Sequence, residues 1–292
     1  MKKLITLLLA AILLLGCLAL TGCESEEEKA LNAIHTKLEG TEELFGKVSA
    51  VYRMYPDGDY NITQGACTDG KYIYMLLENQ NENGGGKDVD HHCKVVKIDA
   101  ATMKEVARSE PLAIDHGNDI TYNSKTKQLV VIHNQPNRDK ISFVDPEKLV
   151  LLDTISHSEL QMYAIAYNAE KDQYVIGLSF GYDFAIVDSE FNVIQKHTGV
   201  VTGYTKQNFD WDGKYIYMLQ FKENCAVIYD WDGNHIRTVM IEMSEEPEAI
   251  FHIGGQFYVT SYISGRKGGR IYKLDLKLES EREDLWLEPG KK

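Results

Sequence analysis

The residues best equipped for chemistry lie in two short runs and one repeated position. Asp115-His116-Gly117-Asn118-Asp119 places an imidazole between carboxylates. His116 could act as acid or base near neutral pH. The oxygens of Asn118 and Asp119 could ligate Ca²⁺ or another divalent cation. The plainer reading is that Gly117 and Asn118 turn the chain into a strand and His116 caps it. The second run is Asp88-Val89-Asp90-His91-His92-Cys93, after Gly84-Gly85-Gly86. Asp90, His91 and His92 are metal-ligand types, and with Cys93 they could hold Zn²⁺ or a similar ion. Their spacing matches no standard zinc pattern, and solvated charge is ordinary in a long loop from Asn79 to His92. GxSxG, Walker A, HExxH and CxxC motifs are absent from the sequence. Gly265-Arg266-Lys267-Gly268-Gly269-Arg270 is basic and glycine-rich but has no helix after it, so it reads as a solvated hairpin loop, not a phosphate cradle.

The third set emerges only when the chain is aligned on itself. Apolar strands run into an aspartate at Asp99, Asp145, Asp188, Asp230 and Asp275, spaced by 46, 43, 42 and 45 residues. A period of that size, filled with short alternating segments, is the signature of a β-propeller. Asp-Gly turns between such segments mark hairpins, as at Asp69-Gly70 and Asp212-Gly213. The aspartates themselves fit turn starts, where the side chain bonds its own backbone two residues on. In this register the innermost strands begin with Gln64, Asn118, Tyr163, Gln207 and Glu248. The second position is Gly65, Asp119, Ala164, Asn208 and Ala249, and the third is the apolar set Ala66, Ile120, Ile165, Phe209 and Ile250. A propeller brings the first five to one mouth of its channel, where convergent polar groups form a ligand site. Asp119 and Asn208 join them from the second position. The plainer reading is a ring of water-bonded channel residues.

These repeats define the expected architecture: an all-β propeller of five four-stranded blades over residues 48–292. Six blades would require a repeat with no visible motif, and a β-sandwich would not place five repeats in one register. Val48 to Tyr55 reads as a strand that supplies the outer edge of the last blade and closes the ring, in competition with Asp284-Leu285-Trp286-Leu287. Cys67 and Cys93 could bridge within the first repeat, and Cys225 reads as a small buried hydrophobe.

The N-terminal part has a different composition. Lys2 and Lys3 precede an apolar run from Leu4 to Leu20, then Thr21-Gly22-Cys23. Leu20-Thr21-Gly22-Cys23 resembles the lipobox of bacterial lipoproteins. That resemblance implies a signal peptide over residues 1–22, acylation of Cys23, and an extracytoplasmic protein held to the cell membrane by lipid. An uncleaved anchor is the alternative. Residues 23–47 read as an acidic tether, with one short helix between Lys29 and Leu44. The whole chain has 31 basic and 44 acidic residues and a net charge of −13. This balance argues against nucleic acid as a partner. The expected partners are a small molecule, a peptide end or a surface protein, with the protein itself a monomer.

Thr63-Gln64-Gly65 before an Asp-Gly turn, with Glu248 opening the last blade, is similar to the propeller-type glutaminyl-peptide cyclotransferases. The resemblance implies that Glu248 assists cyclisation of an N-terminal glutamine as acid or base and that Gln64 contacts substrate. The tryptophan-rich lining of that family is not matched, since this chain has only Trp211, Trp231 and Trp286. Asn118-Asp119 also resembles the calcium-dependent lactonase propellers. Shared fold does not fix activity. The expectation is therefore a lipid-anchored module that binds a small ligand or peptide end at its channel mouth. The alternative is a propeller enzyme, either cyclotransferase-like or a metal-dependent lactonase or lyase.

Overall fold

The computed structural model describes residues 24–79 and 92–282. Among the described residues one α-helix, α1 (Glu26–Glu39), precedes twenty strands. The first strand, β1, spans Leu44–Met54. Three four-stranded antiparallel sheets come next in chain order. They are β2 (Tyr60–Thr68), β3 (Tyr72–Asn79), β4 (Cys93–Asp99) and β5 (Lys104–Arg108); β6 (Gly117–Asn123), β7 (Gln128–His133), β8 (Lys140–Val144) and β9 (Leu151–Ser156); and β10 (Met162–Asn168), β11 (Gln173–Leu178), β12 (Phe184–Asp188) and β13 (Val193–His197). The remaining strands are β14 (Thr205–Trp211), β15 (Tyr215–Phe221), β16 (Cys225–Asp230), β17 (His235–Glu242), β18 (Glu246–Ile253), β19 (Gln256–Tyr262) and β20 (Gly269–Leu278). With β1 they form an eight-stranded sheet in the order β14-β15-β16-β17-β1-β20-β19-β18.

That sheet has a weak seam. β17 and β1 pair in parallel over only three residues, from Phe45 opposite Met240 to Lys47 opposite Glu242. β1 and β20 pair antiparallel from Leu44 opposite Leu278 to Met54 opposite Gly269. The N-terminal strand is thus the outer edge of the quartet β18-β19-β20-β1. The competing segment at Asp284–Leu287 lies outside the described residues.

The first strands of successive quartets touch in a cycle, β2 to β6, β10, β14, β18 and back to β2. The arrangement is an all-β, propeller-like ring of four-stranded units. The apolar third register position explains its cohesion. Ile120, Ile165, Phe209, Ile250 and Ala66 each belong to a different buried cluster, one between each pair of neighbouring quartets. Full burial of one such large side chain contributes about 1.5–3 kcal/mol. Four of the five repeat aspartates accept from an amide of their own turn, three of them from two residues on as expected and Asp99 from three. Asp99 accepts from Thr102, Asp145 from Glu147, Asp188 from Glu190 and Asp230 from Asp232. Asp275 departs from the pattern, because β20 continues through it to pair with β1.

The acidic stretch expected as a tether is instead the first turn of α1. Ser25 caps it by accepting from the Glu28 amide at 3.0 Å, and Glu28 reciprocates at 2.7 Å. Glu26, Glu27 and Glu28 favour the positive end of the helix dipole. Leu38 is buried in the cluster between the last two quartets. His35 Nε2 lies 2.7 Å from Asp212, which also accepts from the Tyr217 hydroxyl. Among the described residues no helix is long and apolar enough to cross a membrane. Cys23 and the apolar run before it lie outside those residues.

Candidate functional site

Each innermost strand is bulged at its first register position. Pairing of β6 with β7 skips Asn118, β10 with β11 skips Tyr163, β14 with β15 skips Gln207 and β18 with β19 skips Glu248. Between β2 and β3 the skipped residues are Gln64 and Gly65. A bulge frees one residue from the ladder and turns its side chain away from the strand's alternation. Repeated at the same register position in every inner strand, it gathers these residues at one end of the ring.

Gln64, Asn118, Gln207 and Glu248 line a single cavity of about 260 Å³. Tyr163 does not join them. Its ring fills a slot over Gly177, where a Cβ would collide with the phenol ring. Tyr163 contributes its carbonyl instead, which accepts from Asn118 Nδ2 at 2.5 Å. The Asn118 oxygen accepts from Asn134, which also reaches the cavity.

The cavity is strongly acidic. Glu78, Glu246 and Glu248 all line it, and among the described residues His116 is the only basic side chain that does. Burial, then the charges of Glu246 and Glu78, push the Glu248 carboxyl well above the ordinary range. Burial raises Glu246 as well, against a hydrogen bond from Gln207 at 3.1 Å. Glu78 Oε1 meets His116 Nδ1 at 2.9 Å. Its second oxygen is buried and has no hydrogen-bond partner. A buried orphan carboxylate oxygen is costly unless something fills it. The site can therefore hold a proton on Glu248 and receive a cationic donor at Glu78.

Sequence reasoning misses Glu78 and Glu246. Both carry a signal: Glu246 lies two residues before Glu248, and Glu78 ends the apolar run Ile73–Leu77. His116, expected as acid or base, is at the cavity but pairs with Glu78.

Asp119 and Asn208 lie one step below the mouth, fully buried and outside the cavity lining. Asp119 accepts from the amides of Ile120 and Ile165 at 2.8 Å, from Phe209 at 3.3 Å and from Asn208 Nδ2 at 2.6 Å. Asn208 in turn accepts from the Ile250 amide at 2.8 Å. Inner strands expose unpaired amides to the channel, and this belt satisfies them. Gly65 completes it, since a Cβ there would lie 2.5 Å from Asp119 Cα. The ligand role expected of Asp119 and Asn208 is corrected accordingly: they tie the strands together beneath the site.

The metal expectation meets the same obstacle. The Asn118 and Asp119 oxygens face N–H donors, and a cation would have to displace them. Among the described residues no three His, Cys, Asp or Glu side chains are placed to hold a metal ion. His92 is described but belongs to no such group, while Asp90 and His91 lie outside the described residues. Cys67 and Cys93 are separate buried thiols, not a bridge. Cys225 is buried, as a small hydrophobe in its strand would be. Asp115, His133 and Ser142 form a relay of 2.9 and 2.7 Å that imitates a hydrolytic triad. Ser142 and His133 are closed to solvent, so the relay is a structural brace of its sheet.

Below the belt a second cavity, of about 240 Å³, opens at the opposite mouth. It holds Asp210 and His252, paired at 2.8 Å, beside Trp211.

No protein-family model matches this chain, and no curated protein matches it in sequence. Among solved structures it is similar to the glutaminyl cyclase of Myxococcus xanthus. The TM-score is 0.59 at 12% sequence identity, over 81% of this chain and 99% of that one. At that identity the likeness concerns the fold.

Proposed function

We propose that this protein is a five-bladed propeller enzyme that cyclises N-terminal glutamine with release of ammonia, its catalytic site being the bulged mouth around Glu248. The blade count treats the eight-stranded sheet as two quartets joined at the three-residue seam. The reading favours catalysis over the simple binding module, and it is supported by fold likeness to a glutaminyl cyclase. Its main support is the chemistry of the mouth: a buried, proton-holding Glu248 beside two further carboxylates and two glutamine amides.

The substrate α-ammonium meets the orphan oxygen of Glu78 and the Glu246 carboxylate. Gln64 and Gln207 hold the γ-amide. The α-nitrogen passes a proton to Glu246, whose raised pKa makes it a better base. It then adds to the γ-carbonyl carbon. Glu248 gives its proton to the departing amide nitrogen as the C–N bond breaks, and regains one from the new lactam nitrogen. The ammonia released takes the proton held on Glu246. The lipobox-like Leu20-Thr21-Gly22-Cys23 puts this activity, on the same proposal, outside the cytoplasm on a lipid anchor.

Glu248→Gln tests the assignment. Turnover should fall by about 10²–10⁴-fold, the usual contribution of a positioned acid, while the melting temperature holds or rises because a crowded carboxyl is removed. Unchanged turnover would remove Glu248 from the chemistry.

A further inference from the structure

Exposed large apolar side chains stand on outer strands, alone at Val106 on β5 and in pairs at Val150 and Leu152 and at Val193 and Ile194 on β13. The two most exposed belong to a set on adjoining loops. Phe180 is 73% exposed, Tyr182 46% and Val201 89%, with Val200 beside them. They stand on two loops, 179–183 between β11 and β12 and 198–204 between β13 and β14. One bond fastens the loops to each other, the Gly199 amide donating to Asp183 at 2.6 Å, and a second ties the later loop to β16, the Val200 amide donating to the Tyr229 hydroxyl at 2.8 Å. Their apolar side chains are therefore held outward by a fixed frame.

Both loops lie at the site end of the ring. Leu178, the last residue of β11, pairs with Met162 beside the Tyr163 bulge. The second loop runs directly into β14, where Lys206 forms an ion pair with Asp183 and the next residue, Gln207, lines the acidic cavity. The patch is thus the rim of the site on one side.

Fixed, contiguous apolar side chains at a protein surface mark a docking site. A bilayer is disfavoured as the occupant. α1 starts on the Gly254-Gly255 turn, where Glu27 and Ala30 abut those glycines. That turn ends β18, and Glu246 begins it. At about 3.3 Å per residue the two ends are about 25 Å apart. Residue 24, where the described chain begins, is thus at the face opposite the patch, and the lipid anchor proposed just ahead of it would draw that face, not the patch, to a bilayer.

We infer that Phe180, Tyr182, Val200 and Val201 form a subsite for apolar side chains of a peptide whose N-terminal residue occupies the acidic cavity. This rests on the function proposed above and deepens it: the substrates are polypeptides with apolar residues just behind the terminal glutamine, not free glutamine. An extended peptide advances about 3.3 Å per residue, so the second to fifth residues would run over the rim. The cavity selects the terminal ammonium and amide, and the patch selects the side chains behind them.

Two peptides test this, one with leucine and phenylalanine behind the terminal glutamine and one with glycine and serine. Ammonia release gives kcat and KM, and fluorescence anisotropy with the Glu248→Gln protein gives affinity without turnover. The wild type should prefer the apolar peptide through KM by about tenfold or more, the effect of burying one or two such side chains. Phe180→Ser with Val201→Ser should erase that preference while leaving kcat and the glycine-serine peptide unchanged. Both side chains are exposed, so these substitutions should not unfold the protein. Equal affinity for the two peptides, or a preference that survives the double substitution, overturns the subsite. So does a double variant that loses association with phosphatidylcholine vesicles but keeps its peptide affinity, since the patch would then be a membrane contact. If neither peptide releases ammonia but the anisotropy preference holds and is lost in the double variant, the cyclisation reading fails and the subsite stands.

Discussion

Asp119 shows how one carboxylate can serve a structural purpose at a place where sequence suggests chemistry. Its neighbours are all N–H donors, and it gathers amides from β6, β10 and β14. Burial pushes its carboxyl up to about 8 against the pull of those donors. Asp119→Asn would turn an N–H₂ group toward at least one of them. An unsatisfied buried pair of that kind costs about 1–3 kcal/mol, so the urea midpoint should fall with an unchanged slope, and no cation should restore it. Restoration by Ca²⁺ would revive the metal reading. His252, at the other mouth, carries a pH dependence. Burial lowers its pKa, but the Asp210 charge and hydrogen bond outweigh this and hold it at about 8. Because that lies above the unfolded value of about 6.5, the folded state binds the proton more tightly. The stabilisation is full below about pH 6.5 and is lost as the pH rises through about 8. His252→Gln should therefore cost up to about 2 kcal/mol at pH 6 and little at pH 9, read as the gap between the two melting curves. A gap independent of pH would show that His252 is neutral throughout. Residue types and register alone give Glu248 and Gln64 their place at the mouth. They cannot tell Tyr163 from a ligand contact, because its direction is set by the space over Gly177, on the neighbouring strand.

Among the elements, β1 and the bulges matter most. The sequence period locates four strands per repeat and a spare strand near Val48–Tyr55, and the structure pairs that strand with β20 from Leu44 onward. The bulges are invisible as bulges in the sequence, since no residue type signals one here: Gln, Asn, Tyr and Glu all occupy the position. Only the common register reveals them, as a line of polar residues two places ahead of an apolar one. The start of α1 reads as tether because Glu26-Glu27-Glu28 has no apolar content, whereas its cap, its dipole and buried Leu38 supply the stability. Closure by β1 makes a direct prediction. A chain beginning at Tyr60 would expose β20 as an edge and uncover its pairing groups. It should elute as aggregate or lose cooperative unfolding. A monomer melting like the full chain would show that the ring closes without β1.

At the scale of the whole molecule, the ring has two unlike ends separated by the Asp119–Asn208 belt. One end is acidic, bulged and rimmed by apolar loops. The other carries the Asp210–His252 pair and the start of α1 at Glu26, close behind Cys23. On the lipid-anchor proposal, tethering through that end would turn the acidic mouth away from the anchor. The fold is legible in the sequence because five repeats share one register, each signalled by local turn chemistry. The candidate site is less so, because its three carboxylates are brought together from β3 and β18 by closure of the ring. The most direct test is mass spectrometry of a peptide beginning with glutamine, incubated with the purified protein beside a peptide beginning with asparagine. The account predicts loss of one ammonia per glutamine peptide, catalytic in protein, with the asparagine peptide unchanged. A glutamine peptide that keeps its mass while binding at the mouth would contradict catalysis and leave a binding protein.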